Sequence, residues 1–334
     1  MSSPTRPALA LRCHGGLTPL QCVEQAVAAE RAGFSTIWFA ENPFGRGAWP
    51  AAAACAVATR RIRLGLGILN PHQRHPTLMA MEIAAFDELS AGRAVLGIGA
   101  GIPSRVRKTH ARVDRPIAAV RDALTITRAL LRGETVTYSG KAFSADGVRL
   151  DFTPRRGDLP ILTAAMGPQA LRLCGEIADG VIISNLVPPA FTRRAVTIIR
   201  ESATRMNRHA PGDIVQYVPA VIHDNGAEAR RIAKGRVAAM LTAYAETASA
   251  ATRAAMGEHG RPQDFAHAMS RLARGEAPED AIDDRLLAEY AIAGTPDECL
   301  AQAKVYAEAG VTELAIAPLG EHAADDIARL GRAM

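Results

Sequence analysis

Three short runs in this chain carry side chains that could do chemistry. STIWFAEN closes an apolar stretch with Glu41 and Asn42, an acid beside an amide. ILNPHQRHP closes another with Asn70, His72, Arg74 and His75. Carboxylates and imidazoles move protons near neutral pH, whereas an amide orients a substrate without exchanging protons. Glu41, Asn42 and His75 are therefore the candidate catalytic residues, with a hydrogen-bonded helix entry beside Pro76 as an equal reading of His75. In the third run, AAMGPQAL, the residues Ala165, Met166, Gly167, Pro168 and Gln169 join an apolar stretch to a helical one. The glycine lets backbone approach a ligand closely, and the proline opens a helix whose free N–H groups suit an anion. A cofactor phosphate fits that arrangement, and so does an ordinary helix start.

Other chemistries lack their signatures. LGIGAG places Gly97, Gly99 and Gly101 in a row, but position 102 is Ile, so the dinucleotide fingerprint G-x-G-x-x-G fails. His72 and His75 have no carboxylate spaced to complete a metal triad, so no metal site is expected. There is neither a G-x-S-x-G elbow nor a phosphate-binding P-loop. A chain without a self-sufficient catalytic motif is best served by a cofactor that carries the difficult step.

The elements that must position these residues alternate along the chain. Apolar runs at 8–13, 35–40, 62–69, 94–100, 159–165, 180–184, 214–222 and 311–318 read as strands. Helical patterns separate them, opened by Thr18-Pro19, Pro76, Pro168 and Thr295-Pro296. Eight strands alternating with helices predict a (β/α)8 barrel over residues 1–334, read as one domain, with a doubly wound open sheet as the competing architecture. Two insertions interrupt the rhythm. Residues 133–158 read as a hairpin with Ser-Gly and Asp-Gly turns, and residues 226–290 as a strand-poor helical block. That block could cover the barrel mouth or pack at a dimer interface.

In such a barrel the chemistry sits where strands end, and the opposite face is stabilising. Gly33, Gly92-Arg93, Asp179-Gly180 and Gly310 precede strands and are expected to stay clear of ligand. Glu41, Asn42, Asn70, His75, Ala100, Gly101, Met166, Gly167 and Ser184 follow strands and converge on one rim.

Composition narrows the partners. The net charge is +5, but the arginines are dispersed and no basic tract is interleaved with aromatics, which disfavours nucleic acid. A mild positive balance suits an anionic cofactor or simply a solvated surface. Five scattered cysteines without C-x-x-C spacing fit a reducing cytoplasm rather than a disulfide framework. The opening MSSPTRPALA has no sustained apolar stretch, and nowhere does the chain approach the ~20 apolar residues of a membrane helix. A cytoplasmic protein without membrane contact is expected.

Taken together, AERAGFSTIWFAEN, RIRLGLGILNPHQRHP, GRAVLGIGAG, PILTAAMGPQALRLCGEIADGVI and AGTPDECLAQAKVYAEAGVTELAIAP resemble the luciferase-like superfamily of flavin- and deazaflavin-dependent oxidoreductases. The likeness spans nearly the whole chain and is strongest to the branch of methylene-tetrahydromethanopterin reductase and similar coenzyme F420 enzymes. It implies that Gly67-Ile68 forms a strand bulge with a non-prolyl cis peptide behind the central ring of the cofactor. It also implies that Met166-Gly167-Pro168-Gln169 binds the cofactor phosphate, that Glu41 lines the pocket, and that Asn70 with Arg74-His75-Pro76 forms its wall. The chain departs from the family pattern at Asn42, often His, and at Ile102, often Asp or Glu.

The resemblance implies an F420-dependent oxidoreductase passing hydride to or from a small organic substrate. An FMN-dependent monooxygenase fed by a separate flavin reductase is the alternative on the same scaffold. Asn42 and Ile102 leave a third reading, a barrel that binds a ligand without changing its redox state. A homodimer is expected from the family alone.

Overall fold

The structure, a computed structural model, describes residues 6–110, 113–320 and 322–334. The first five residues, part of the N-terminal run read above, lie outside that description. In chain order the strands are β1 (Ala8–His14), β2 (Thr36–Ala40), β3 (Arg63–Leu69), β4 (Ala94–Ile98), β5 (Val136–Ser139), β6 (Ser144–Val148), β7 (Ile161–Ala164), β8 (Gly180–Ile183), β9 (Asp213–Ile222), β10 (Ile292–Gly294) and β11 (Glu313–Pro318). The barrel order is β1-β2-β3-β4-β7-β8-β9-β11, with β11 returning to β1 and every pairing parallel. Closure through the β8–β9 pairing rules out the open sheet. β10, which the periodicity did not predict, adds to the far end of β9.

The first helices are α1 (Pro19–Arg31), α2 (Ala48–Ala58), α3 (Pro76–Leu89), α4 (Pro103–Arg107), α5 (Pro116–Leu131), α6 (Pro168–Ile177) and α7 (Pro189–Arg205). The 226–290 block folds into α8 (Gly226–Thr247), α9 (Ala250–Gly257), α10 (Pro262–Ala273), α11 (Pro278–Ala281) and α12 (Asp284–Tyr290). Then come α13 (Pro296–Glu308) and α14 (Ala323–Arg332). Local chemistry explains several boundaries. Thr18 and Gln21 form a reciprocal capping box before α1, as Thr295 and Glu298 do before α13. Gly33 and Gly310 follow α1 and α13 with φ of 80° and 94°, the left-handed conformation that a helix C-terminus favours.

β5 and β6 form the expected antiparallel hairpin, and Ser139-Gly140 lies at its turn. Asp146-Gly147 is not a second turn. Gly147 sits within β6 at φ 61°, its N–H donates to Thr137 Oγ1 at 3.1 Å, and the ladder shifts register there. The dipeptide makes a bulge, for which a left-handed glycine is equally suited.

Strand alternation divides the core. Leu9, Leu11, Ile37, Phe39, Leu64, Leu66, Leu96 and Ile98 face the helices, while Ala10, Trp38, Val95, Leu162, Ile182, Val215, Tyr217 and Ala315 fill the barrel. The N-terminal end of the barrel is tied together by polar groups. Glu313, on β11, accepts hydrogen bonds from Ser35 Oγ, Thr36 Oγ1 and Trp38 Nε1 at 2.7, 2.6 and 2.6 Å. Arg63 pairs with Asp213 at 2.9 Å, linking β3 to β9. Arg93 spends its guanidinium on Ser90 O, Ile62 O, Ala56 O and Thr59 Oγ1. Asp179 likewise accepts from Ile161 N at 2.9 Å and Arg128 Nη2 at 2.7 Å, so Arg93 and Asp179 are both occupied in holding turns.

Candidate active site

The site grows from an irregularity in β3. Leu66 pairs with Leu96 and Leu69 with Ile98, so β3 uses three residues where β4 uses two. The extra residue lies at Gly67-Ile68, whose peptide bond is cis. From the opposite side of the barrel, Tyr217 Oη on β9 donates to Gly67 O at 3.1 Å. A Cβ on Gly67 would lie 2.2 Å from that hydroxyl and 2.8 Å from the Trp38 ring, so only glycine fits. Burial pushes the Tyr217 phenol well up, more than the nearby Arg12 lowers it, which keeps it a neutral donor.

Beyond the bulge Ile68 turns inward and packs with Ala164 of β7 against the interior cluster. Both are partly exposed. Gly99 sits between them on the β4 side, where a Cβ would come within 2.9 Å of Ala164 and 3.2 Å of Ile68. The strand ends β3, β4 and β7 therefore present a small apolar platform at the top of the barrel.

Asn70 locks the edge of this platform. Its Nδ2 donates to Ala100 O at 2.9 Å and its Oδ1 accepts from His72 N at 2.9 Å, joining the loops after β3 and β4. Gly101, at φ 68°, passes so close that a Cβ would meet Asn70 Nδ2 at 2.6 Å. Ala100 and Gly101 lie in this loop rather than in the strand, which ends at Ile98. Asn70 is 5% exposed, so it acts as a brace between loops more than as an open pocket wall.

Glu41 leads to an acid–arginine–acid cluster. Arg74 Nη1 donates to Glu41 Oε2 at 2.7 Å, and Arg74 Nε lies 2.7 Å from Glu82 Oε2 on α3. One guanidinium thus serves two carboxylates. Burial raises the Glu82 carboxyl above its usual range; Arg74 opposes this and Glu41 adds to it. Asn42, next along, closes a turn by accepting Gly45 N–H on its carbonyl at 3.1 Å.

His75 is not brought to this cluster by any hydrogen bond. Its Nδ1 caps α3, accepting from Thr77 N at 3.3 Å, and its ring meets Phe143 of the hairpin edge-on at 5.5 Å. His72 also packs on Phe143, at 6.2 Å. The hairpin therefore buttresses the β3–α3 loop.

The third run folds as its residues suggest. Gly167 is the N-cap of α6 and supplies no side-chain cap, while Pro168 takes the first helical position. The N–H groups of Gln169 and Ala170 consequently have no acceptor within the helix. A Cβ at Gly167 would meet only Ala251 of α9, at 3.3 Å. Met166 is partly exposed, whereas Ala165 is buried among the helix-facing residues and offers only its backbone. Ser184 follows β8 and bonds Asn185 Oδ1 at 3.2 Å.

The helical block covers this side of the rim. Ser104 of α4 donates to Thr247 O at the end of α8 at 2.9 Å, and Tyr244 Oη to Asn185 Oδ1 at 3.2 Å. With the Gly167–Ala251 approach, these contacts set α8 and α9 against the ends of β4, β7 and β8. Sequence alone left that choice open.

Three residues escaped sequence reasoning: Arg12, Tyr217 and Glu82. Alternation through ALALRCH puts Arg12 on one face with Ala10, which the structure shows to be the inward one. Nothing local marks Tyr217 or Glu82. Among the described residues, no three His, Cys, Asp or Glu side chains gather as a metal site, and no helix is long and apolar enough to cross a membrane.

Comparison with known proteins adds to this geometry. The family model of luciferase-like monooxygenases matches residues 7–313. A 5,10-methylenetetrahydromethanopterin reductase from Archaeoglobus fulgidus is 30% identical over 312 residues, covering 91% of each chain. The solved coenzyme F420-dependent tetrahydromethanopterin reductase from Methanopyrus kandleri shares the fold, with a TM-score of 0.83 at 24% identity over 98% of both chains. So does the FMN-bound oxygenating constituent of 3,6-diketocamphane monooxygenase from Pseudomonas putida, with a TM-score of 0.73 at 19% identity over 98% of this chain and 95% of that one.

Proposed function

The chain belongs to the luciferase-like monooxygenase family and is an oxidoreductase, and from that premise we propose that it is a coenzyme F420-dependent enzyme. In this reading, hydride passes between the deazaflavin and a small organic substrate at the C-terminal mouth of the barrel. One juxtaposition carries it: the apolar Ile68–Ala164 platform adjoins the open N-terminus of α6. A planar ring system with a phosphate-bearing tail needs those two surfaces side by side. The residues present fit such a group.

When bound, F420 would supply the two-electron hydride couple. The chain's own residues position and protect. Gly67, Ile68 and Ala164 offer the ring an apolar face, and Tyr217 holds the Gly67 carbonyl in place. Met166, Gly167 and Gln169 would receive the phosphate on backbone N–H groups, with Pro168, which has none, setting the helix start and Ser184 on the neighbouring strand end. Asn70 keeps the Ala100-Gly101 loop against the platform. Helices α8 and α9 limit water at the rim. Glu41 is the candidate proton carrier: Arg74 occupies Oε2, which leaves Oε1 for a substrate proton, while the Asn42 amide orients the substrate. We read residues 1–334 as one domain organised around this site.

Fluorescence titration of the purified protein with F420 and, separately, with FMN tests the proposal. Saturable F420 binding that is weakened in Gly167→Leu supports it. Binding of FMN alone points instead to a two-component monooxygenase, the reading that the FMN-bound neighbour favours. Binding of neither overturns the cofactor assignment.

A further inference from the structure

We propose that Arg12 is the anion anchor of a substrate subsite, so that the organic substrate carries an oxyanion, a carboxylate or a phosphate ester, docked on its guanidinium. This rests on the oxidoreductase reading above and adds a substrate class to it.

Arg12 lies on β1 two residues after Ala10, and alternation turns it into the barrel. Its guanidinium carbon sits 5.0 Å from the centroid of the Tyr217 ring. The side chain is only partly exposed, and its Nε is buried without a hydrogen-bond partner. A sequestered guanidinium is costly unless its donors are met. Elsewhere this chain meets them: Arg63 has Asp213, Arg93 has four oxygens of its own turns, and Arg156 has Asp87. Among the described residues no carboxylate lies within ion-pair distance of Arg12. Glu313, the acid inside the same barrel, is committed to Ser35, Thr36 and Trp38. The face of Tyr217 offsets part of the charge but accepts none of the fork's N–H groups.

Arg12 also borders a cleft of about 320 Å³ between the tops of β1 and β11 and the helices α1 and α14, with His14 and His322 beside it. Glu24 and Asp325 line the same cleft without reaching Arg12. The cleft opens where a ligand could bring the missing acceptor. A guanidinium grips carboxylate or phosphate through two parallel hydrogen bonds.

Topology assigns this group to substrate rather than to the cofactor tail. In the closed strand order β1 and β7 are four steps apart in either direction, so Arg12 lies across the barrel from Gly167. It is next to β2, whose end carries Glu41 and Asn42. An anion held at Arg12 would thus lie on the side of the barrel that carries the acid rim.

The test uses the full-length protein, with and without F420, at constant ionic strength. Calorimetry with benzoate and, in a separate arm, with inorganic phosphate is run on wild type, Arg12→Gln and Arg12→Lys. Wild type should bind at least one probe saturably. Arg12→Gln should weaken that binding by about tenfold or more, with Arg12→Lys intermediate because it keeps the charge and loses the fork. The F420 affinity of the variants should stay within about twofold of wild type, a split that a merely structural role would not produce. Preference for benzoate or phosphate identifies which oxyanion is meant. Absence of saturable binding to wild type overturns the proposal. So does equal affinity in Arg12→Gln, or a loss of F420 affinity with anion binding intact. Should wild type bind the probes through Arg12 but not F420, the anion site stands and the cofactor reading fails.

Discussion

Tyr217 and Gly67 meet across the barrel: the phenol on β9 donates to the glycine carbonyl on β3 at 3.1 Å, between strands four steps apart in the closed order. The contact ties the bulge that carries Ile68 to the far wall, and so links packing of the interior to the shape of the proposed cofactor platform.

Tyr217→Phe keeps the ring and removes this bond. Its unfolding free energy should fall by about 1 kcal/mol. Gly67→Ala should cost more, about 1–3 kcal/mol, because its Cβ would press on Tyr217 and Trp38. Urea unfolding of both variants measures this, and an alanine variant as stable as wild type would show that the packing yields.

Asn70 uses a donor and an acceptor at once, toward Ala100 O and His72 N. Asn70→Ala should lose about 1–3 kcal/mol by stranding both backbone groups. Asn70→Asp should be at least as damaging above the carboxylate range, since an ionised side chain has no hydrogen to give Ala100. The aspartate variant should recover at acid pH, where its carboxyl can donate again. Denaturation midpoints across pH would reveal whether it does.

Glu82 offers a pH signature. Burial outweighs Arg74 and raises its carboxyl in the folded protein, so the folded state holds its proton more tightly than the unfolded chain. The stability it contributes is full below the unfolded carboxylate value and is lost as pH rises through the higher folded value. Glu82→Gln should flatten that segment of the stability–pH curve. A variant with an unchanged curve would locate the proton elsewhere.

Gly167 has an ordinary backbone, φ −90° and ψ 158°, so a larger side chain there brings no φ strain. What Gly167→Leu would do is fill the space before α6 and crowd Ala251. F420 affinity should drop by about tenfold or more while the thermal midpoint changes little, because the substitution blocks an approach to free N–H groups. Comparable losses in both would mean that α9 is displaced instead.

Much of the fold was legible in the chain. Strand positions followed from apolar runs, and Thr18-Pro19, Thr295-Pro296 and Pro168 marked helix starts within a residue or two. These signals are short-range, since a cap or an alternation is made by neighbours in sequence. β10 and α4 were missed because three- and five-residue elements carry no periodicity to read. Asp146-Gly147 misled because the same dipeptide serves turns and bulges.

The sites divide in the same way. A glycine and a proline after a strand sufficed to mark the start of α6, and a bulge at Gly67-Ile68 could be expected from the resemblance. By itself the sequence determined the alternation of strands and helices and the helix starts that frame the rim, because those depend on period and on adjacent residues. Only the tertiary structure decided that Tyr217 reaches Gly67, that Arg74 is shared by Glu41 and Glu82, that α8 and α9 lie over the ends of β4, β7 and β8, and that among the described residues Arg12 has no acid opposite it. Those relations join residues up to 150 positions apart or arise from a partner's absence, and barrel closure, not local propensity, sets which side chains face one another.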